Sequence, residues 1–151
     1  NFKWTQDVYG VLLEKTAINA VINPLTAVNR VTNGELYSPH MVAKTQSIIW
    51  EVQSLLKAAG ETDIAVRLPD RVKQVCLDTS KNYSSMRIDL EQGKKTEIDS
   101  IVTWLLESLN GGGPTPPTPA LVSLRDRIQQ AARWSQPDIS EDRNPITPTT
   151  S

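Results

Sequence analysis

Cysteine, histidine and phenylalanine each occur once in the 151 residues, and that scarcity removes several kinds of protein before any motif is read. With Cys76 alone there is no internal disulfide, and a reducing compartment is the natural setting. In Val72-Lys73-Gln74-Val75-Cys76 the cysteine reads as a small buried hydrophobe. His40 stands beside Ser38-Pro39 at a predicted helix start, which supports no Ser-His-Asp triad. One histidine, one cysteine and no carboxylate cluster at ligand spacing give no metal site. No apolar run approaches the roughly 20 residues that span a bilayer, and no basic leader precedes an apolar segment. Sixteen basic residues face 17 acidic ones for a net charge of -1, and the cations are scattered without interleaved aromatics, which argues against a nucleic-acid partner. A phosphate loop is missing too, because Gly111-Gly112-Gly113 has no strand before it and no helix after it.

What is present is a globular composition, 38% apolar and 22% charged, of a length that fits one domain. Residues 1–134 read as that domain. Residues 135–151 change to Pro, Thr, Ser, Asp and Glu and read as a flexible tail. The chain opens on Asn1-Phe2-Lys3-Trp4 without a methionine, so the expectation is a piece of a longer protein whose upstream signals lie out of view.

Helical spacing dominates, and the expected class is all-α, a compact multi-helix domain. Val8, Leu12, Ile18 and Ile22, widened by Val11 and Val21, predict the buried side of a long first helix. Pro24 predicts a kink or break at Asn23-Pro24, and 29–38 reads as a loop around Asn33-Gly34. Ser38-Pro39 predicts a capped start for a helix bearing Val42, Ile48, Ile49, Val52, Leu55 and Leu56, with Gly60 as its stop. Pro69-Asp70 predicts the start of a third helix, with Val72, Val75, Cys76 and Thr79 toward the core. A short helix over 84–90 should end at Gly93, and another carries Ile98, Ile101, Val102, Leu105, Leu106 and Leu109. Four prolines between Pro114 and Pro119 predict a stiff connector, and Thr118-Pro119 a cap for a last helix with Leu121, Leu124 and Ile128.

Two polar groups could carry chemistry. Lys15, Asn19 and Asn23 recur at intervals of four, each about 40° further round a helix, amid alanine, isoleucine and valine. A partly buried stripe of this kind would hold a lysine whose desolvation eases proton loss, as a general acid for carbonyl reduction needs, beside two amides that fix a polar ligand. The competing reading has Lys15 reaching to water and the asparagines bonding to local backbone. The second group is Asn82-Tyr83-Ser84-Ser85-Met86 with Thr96-Glu97-Ile98-Asp99. Here Ser84 or Ser85 and Thr96 serve as helix caps, and Glu97 and Asp99 suit a first helical turn whether or not anything binds.

Leu13-Glu14-Lys15, the run from Asn19 to Ala27, Asn33-Gly34-Glu35-Leu36, Asn82 to Met86, Asp89 and Thr96 to Asp99 occur in order over residues 4 to 130. Together they resemble the C-terminal domain of the ketopantoate reductase (2-dehydropantoate 2-reductase) family. The resemblance implies a fold like the C-terminal domain of 6-phosphogluconate dehydrogenase. It also implies reduction of 2-dehydropantoate to (R)-pantoate with NADPH, a step toward pantothenate and coenzyme A. By resemblance Lys15 is the proton donor to the substrate carbonyl, and Glu97 is the acidic residue near it. Asn19, Asn23 and Asn82 line the substrate pocket, Ser85 holds the carboxylate, and Asn33 belongs to a family block with a less defined contact. The N-terminal Rossmann domain that would bind NADPH has no counterpart here, so this piece alone is expected to be inactive. Relatives often carry an asparagine near Pro117-Thr118-Pro119, where Thr118 reads as a substitute cap. The cytoplasm is the expected location, with mitochondria and a homodimer left open. Reduction of another 2-keto acid is the alternative activity, and a family-derived binding, regulatory or dimerisation module is the alternative without turnover.

Overall fold

One helix, α1 (Phe2–Asn29), runs through the middle of the domain, and the other elements gather round it. The structure is a computed structural model that describes residues 2–109 and 113–134. The predicted tail, 135–151, and residues 110–112 lie outside the described residues. Leu13, Ala17, Ala20, Val21 and Leu25 form the fully buried side of α1. The two alanines in that row let neighbouring helices come close. The predicted inward side is corrected at the start of the helix, where Val8, Val11 and Leu12 are exposed because no other described element covers them.

The predicted break at Asn23-Pro24 does not occur. Pro24 lies buried inside α1, and the helix continues to Asn29. An interior proline costs about 3 kcal/mol. Burial of Ala20, Val21, Leu25 and Thr26 on either side of it offsets that cost. The helix ends in a Schellman turn: Arg30 takes a left-handed φ of 53°, and Val31 N donates to Thr26 O at 3.3 Å.

The stretch predicted as loop contains a short 3-10 helix, Gly34–Tyr37, which buries Leu36 completely. Gly34 is required by proximity. A Cβ at this position would lie 2.7 Å from Ser80 Cβ and 2.8 Å from Ser80 O. The next helix, α2 (Val42–Ala58), starts later than Ser38-Pro39 predicted. The Ser38 carbonyl accepts from Met41 N and Val42 N while its hydroxyl donates to Glu35 O, so Ser38 closes the preceding turn. Gly60 terminates α2 as expected, at φ 82° with Glu61 N donating to Leu56 O at 2.8 Å.

α3 (Thr62–Asp78) begins a full two turns before Pro69-Asp70, with Pro69 inside it. Ile64, Ala65, Leu68, Val72 and Cys76 make one unbroken buried stripe, and Pro69 sits beside that stripe. α4 (Ser85–Glu91) is capped by Ser84, whose hydroxyl accepts from Arg87 N, and ends at Gly93 with φ 68°. The helix predicted from Ile98 onward opens with a π-helical turn over Asp99–Thr103, in which Trp104 N reaches back five residues to Asp99 O. It continues as α5 (Trp104–Ser108). α6 (Pro119–Trp134) follows the proline connector.

The cap of α6 corrects another expectation. Thr118 offers its backbone carbonyl to Val122 N, but the free amides at the helix start are taken by Glu51, buried on α2. Its carboxylate accepts from Ala120 N at 2.9 and 3.2 Å and from Leu121 N at 3.2 Å. No strand occurs among the described residues. The fold is an all-helical domain packed around α1.

Candidate active site

A charged fork links α1 to α3. Glu14 accepts from Arg67 Nη2 and Arg71 Nε of α3, both at 3.3 Å. The Arg67 hydrogen bond, aided by charge from both arginines, holds the Glu14 carboxyl below its ordinary range. Lys15, one residue and about 100° further round, is turned to solvent. Asn19 and Asn23 are half-buried on the same side of the helix. The predicted polar stripe therefore exists, with Lys15 exposed and the two asparagines half-buried.

Ser85 reaches this face through its neighbour. Thr26 Oγ1 lies 2.7 Å from Ser84 Oγ, and the same hydroxyl contacts the carbonyls of Ile22 at 2.8 Å and Asn23 at 3.1 Å. Three contacts around one proton resolve simply. The Ser84 hydroxyl donates to Thr26, Thr26 donates into its own helix, and Ser84 accepts the Arg87 amide. That chain of bonds pins the start of α4, and exposed Ser85 with it, beside the turn that carries Asn23. Of the two serines offered by the sequence as caps, Ser84 performs that role.

Asn82 and Asn33 come together as well. Asn33 N donates to Asn82 O at 3.0 Å, Gly34 N donates to Ser80 O at 3.0 Å, and Asn33 Nδ2 donates to Thr79 Oγ1 at 3.0 Å. Asn33 is thereby buried as a brace for the segment before α4, whereas Asn82 is exposed. The amide oxygen Oδ1 of Asn33 is closed off without a hydrogen-bond partner.

Glu97 is exposed just ahead of the π-helical turn, and its carbonyl accepts from Ser100 Oγ and Ile101 N. This turn packs on α1. Ser100 and Trp104 share a groove of about 280 Å³ with Tyr9, Leu12 and Thr16. Asp99 ties the other side of the turn to α6. It accepts from Thr103 Oγ1 and Gln129 Nε2, each at 2.8 Å, and these bonds hold its carboxyl below the usual value. Among the described residues no side-chain hydrogen bond or ion pair joins Lys15, Asn19, Asn23, Asn82, Ser85 or Glu97 to one another. Ser85 stands on α4 and Glu97 just before the π-helical turn, and both of these elements pack on α1.

Sequence reasoning missed Thr26, Trp104 and the apolar rim. Val8, Tyr9, Val11 and Leu12 are all exposed, Val11 at 67%, and Trp104 stands beside them. They lie at the end of α1 nearest Lys15. The signal was the excess of large apolar residues at that end, which was assigned to the core.

A model of the family described as "Ketopantoate reductase PanE/ApbA C terminal" matches residues 7–124. The 2-dehydropantoate 2-reductase of Vibrio cholerae is 33% identical over 134 residues, covering 88% of this chain and 45% of that enzyme. A solved structure of the probable 2-dehydropantoate 2-reductase of Bacillus subtilis aligns with a TM-score of 0.61 at 33% identity, covering 78% of this chain and 39% of that one. A PanE/ApbA family ketopantoate reductase from Ralstonia eutropha shares the fold, with a TM-score of 0.69 at 22% identity over 83% of this chain and 42% of that one. The chain spans less than half the length of these relatives. It belongs to the family of ketopantoate reductase C-terminal domains.

Proposed function

We propose that this chain is the substrate-holding half of an NADPH-dependent reductase that converts 2-dehydropantoate to (R)-pantoate, with Lys15 as the proton donor. The observation that carries this reading is the face of α1 bearing Lys15, Asn19 and Asn23, with Ser85 held next to it by the Thr26–Ser84 bond. Family membership gives that face its context.

The described residues do not themselves fit a whole nucleotide: they contain no strand leading into a glycine-rich turn, so NADPH falls to a Rossmann domain in the rest of the full-length protein. Held there, NADPH would supply the hydride. Of this chain's residues, Lys15 Nζ would give its proton to the substrate's carbonyl oxygen as negative charge gathers on it. Ser85 helps hold the substrate carboxylate, Asn19, Asn23 and Asn82 fix its polar atoms by donating and accepting at set angles, and Glu97 takes the hydroxyl end. Because Lys15 is exposed here, desolvation of its ammonium awaits a covering body. Val8, Val11, Leu12 and Trp104 offer that body an apolar seat adjoining the polar face.

The test is NADPH consumption by the full-length protein with 2-dehydropantoate, compared with Lys15→Ala. The expected result is a fall in kcat of about 10²- to 10⁴-fold with the fold intact. A folded, NADPH-binding protein that leaves 2-dehydropantoate untouched would shift the reading to a different 2-keto acid or to a relative without turnover.

A further inference from the structure

A second recess lies away from the candidate active site, between the C-terminal part of α1, α2 and α6, with a volume of about 260 Å³. Its base is apolar and well buried: Leu25 of α1, Ile48 of α2 and Leu124 of α6. Its other lining includes Lys44 and Arg127, both exposed, on facing helices. Asn29 Oδ1 accepts from Lys44 Nζ at 3.5 Å and steadies the ammonium there.

Among the described residues neither cation pairs with a carboxylate. No carboxylate lines the recess. Glu51, nearby on α2, is committed to the amides of Ala120 and Leu121, and Asp126 pairs with Arg125 at 3.3 Å. Two positive charges over an apolar base repel one another, although their stems can cover apolar surface. They match a small anion with an aliphatic body. The volume is slightly below that of drug-sized sites, which suits a small ligand.

We propose that this recess binds a small aliphatic carboxylate, its chain on Leu25, Ile48 and Leu124 and its carboxylate between Lys44 and Arg127. The inference stands apart from the proposed reductase. Leu25 is six residues beyond Asn19 and about 120° round α1 from it, and none of the residues proposed for the reductase lies on α2 or α6.

Isothermal titration of the full-length protein with isovalerate tests this, with isopentanol supplying the same body without charge and inorganic phosphate supplying charge without the body. Isovalerate should bind at one site, weaken with added salt, and bind about tenfold more tightly than either control. The Lys44→Ala/Arg127→Ala double variant should lose about tenfold in affinity, and Ser123→Trp, which fills the recess and leaves both cations in place, should lose a similar factor. Circular dichroism confirms that each variant is folded. Absence of isovalerate binding, equal binding of a control, or affinity unchanged in the folded variants overturns the proposal. Binding that is abolished by Lys15→Ala and spared by the double variant also overturns it, since the ligand would then sit on the other face of α1.

Discussion

Thr26 Oγ1 and Ser84 Oγ meet at 2.7 Å between two helices that the sequence separates by 58 positions, and both residues are buried. Thr26→Val keeps the shape and removes the hydroxyl, leaving the Ser84 proton without its acceptor. The expected cost is about 1–3 kcal/mol, read as a lower urea midpoint at unchanged m. On the proposed function, the same variant of the full-length protein should raise KM for the keto acid more than it lowers kcat, because Ser85 and Asn23 lose their common anchor. Thr26→Ser should restore both, which a purely apolar packing role would not require.

Glu51 caps a helix that begins 68 residues later in the chain, at Pro119. Glu51→Ala leaves those buried amides without an acceptor and should destabilise the domain by about 1–3 kcal/mol. Glu51→Gln retains one oxygen as an acceptor and should recover part of the loss. Urea unfolding of the two variants checks the order.

Burial pushes the Cys76 thiol up to about 12, from 9.0. The unfolded chain therefore ionises first as pH rises, and the native state binds more protons than the unfolded one above pH 9. Stability is full below that value and should fall by up to about 1.4 kcal/mol per pH unit between 9 and 10. Tyr37, raised to about 12 mainly by burial, adds to the slope above 10. Cys76→Ala should flatten the decline between 9 and 10, and a thiol reagent at pH 8 should modify wild-type protein only after denaturant is added.

Arg30 holds a left-handed conformation, φ 53°, in the turn that ends α1. Glycine adopts that conformation without the Cβ penalty. Arg30→Gly should raise stability by about 0.5–1 kcal/mol, measured as a higher Tm, whereas Gly34→Ala should lower it by driving a Cβ into Ser80.

Helices and their glycine stops were legible because they depend on neighbours along the chain. Gly60 and Gly93 end their helices as expected, and Ser84 caps as one of two serines offered. Elements whose bounds depend on distant contacts were not legible. Pro24 was read as a kink or break and Pro69 as a helix start, yet each lies inside a helix with buried residues on both sides of it. Thr118 looked sufficient as a cap because Glu51 is far away in sequence. The site residues were proposed as a set from ordered motifs, and α1 carries Lys15, Asn19 and Asn23 on one side. Of the two readings open for Lys15, burial and reach to water, the exposed one holds, and spacing alone did not decide it because its apolar neighbours Val11 and Leu12 are themselves exposed.

The helical course of α1 continues through Pro24, and its 28 residues extend about 42 Å, with Val8 and Leu12 toward one end and Leu25 and Asn29 at the other. Pro24 has no amide proton to give the Ala20 carbonyl, so a tilt imposed on the exposed end meets its softest point one residue before Leu25, at the edge of the recess between Lys44 and Arg127.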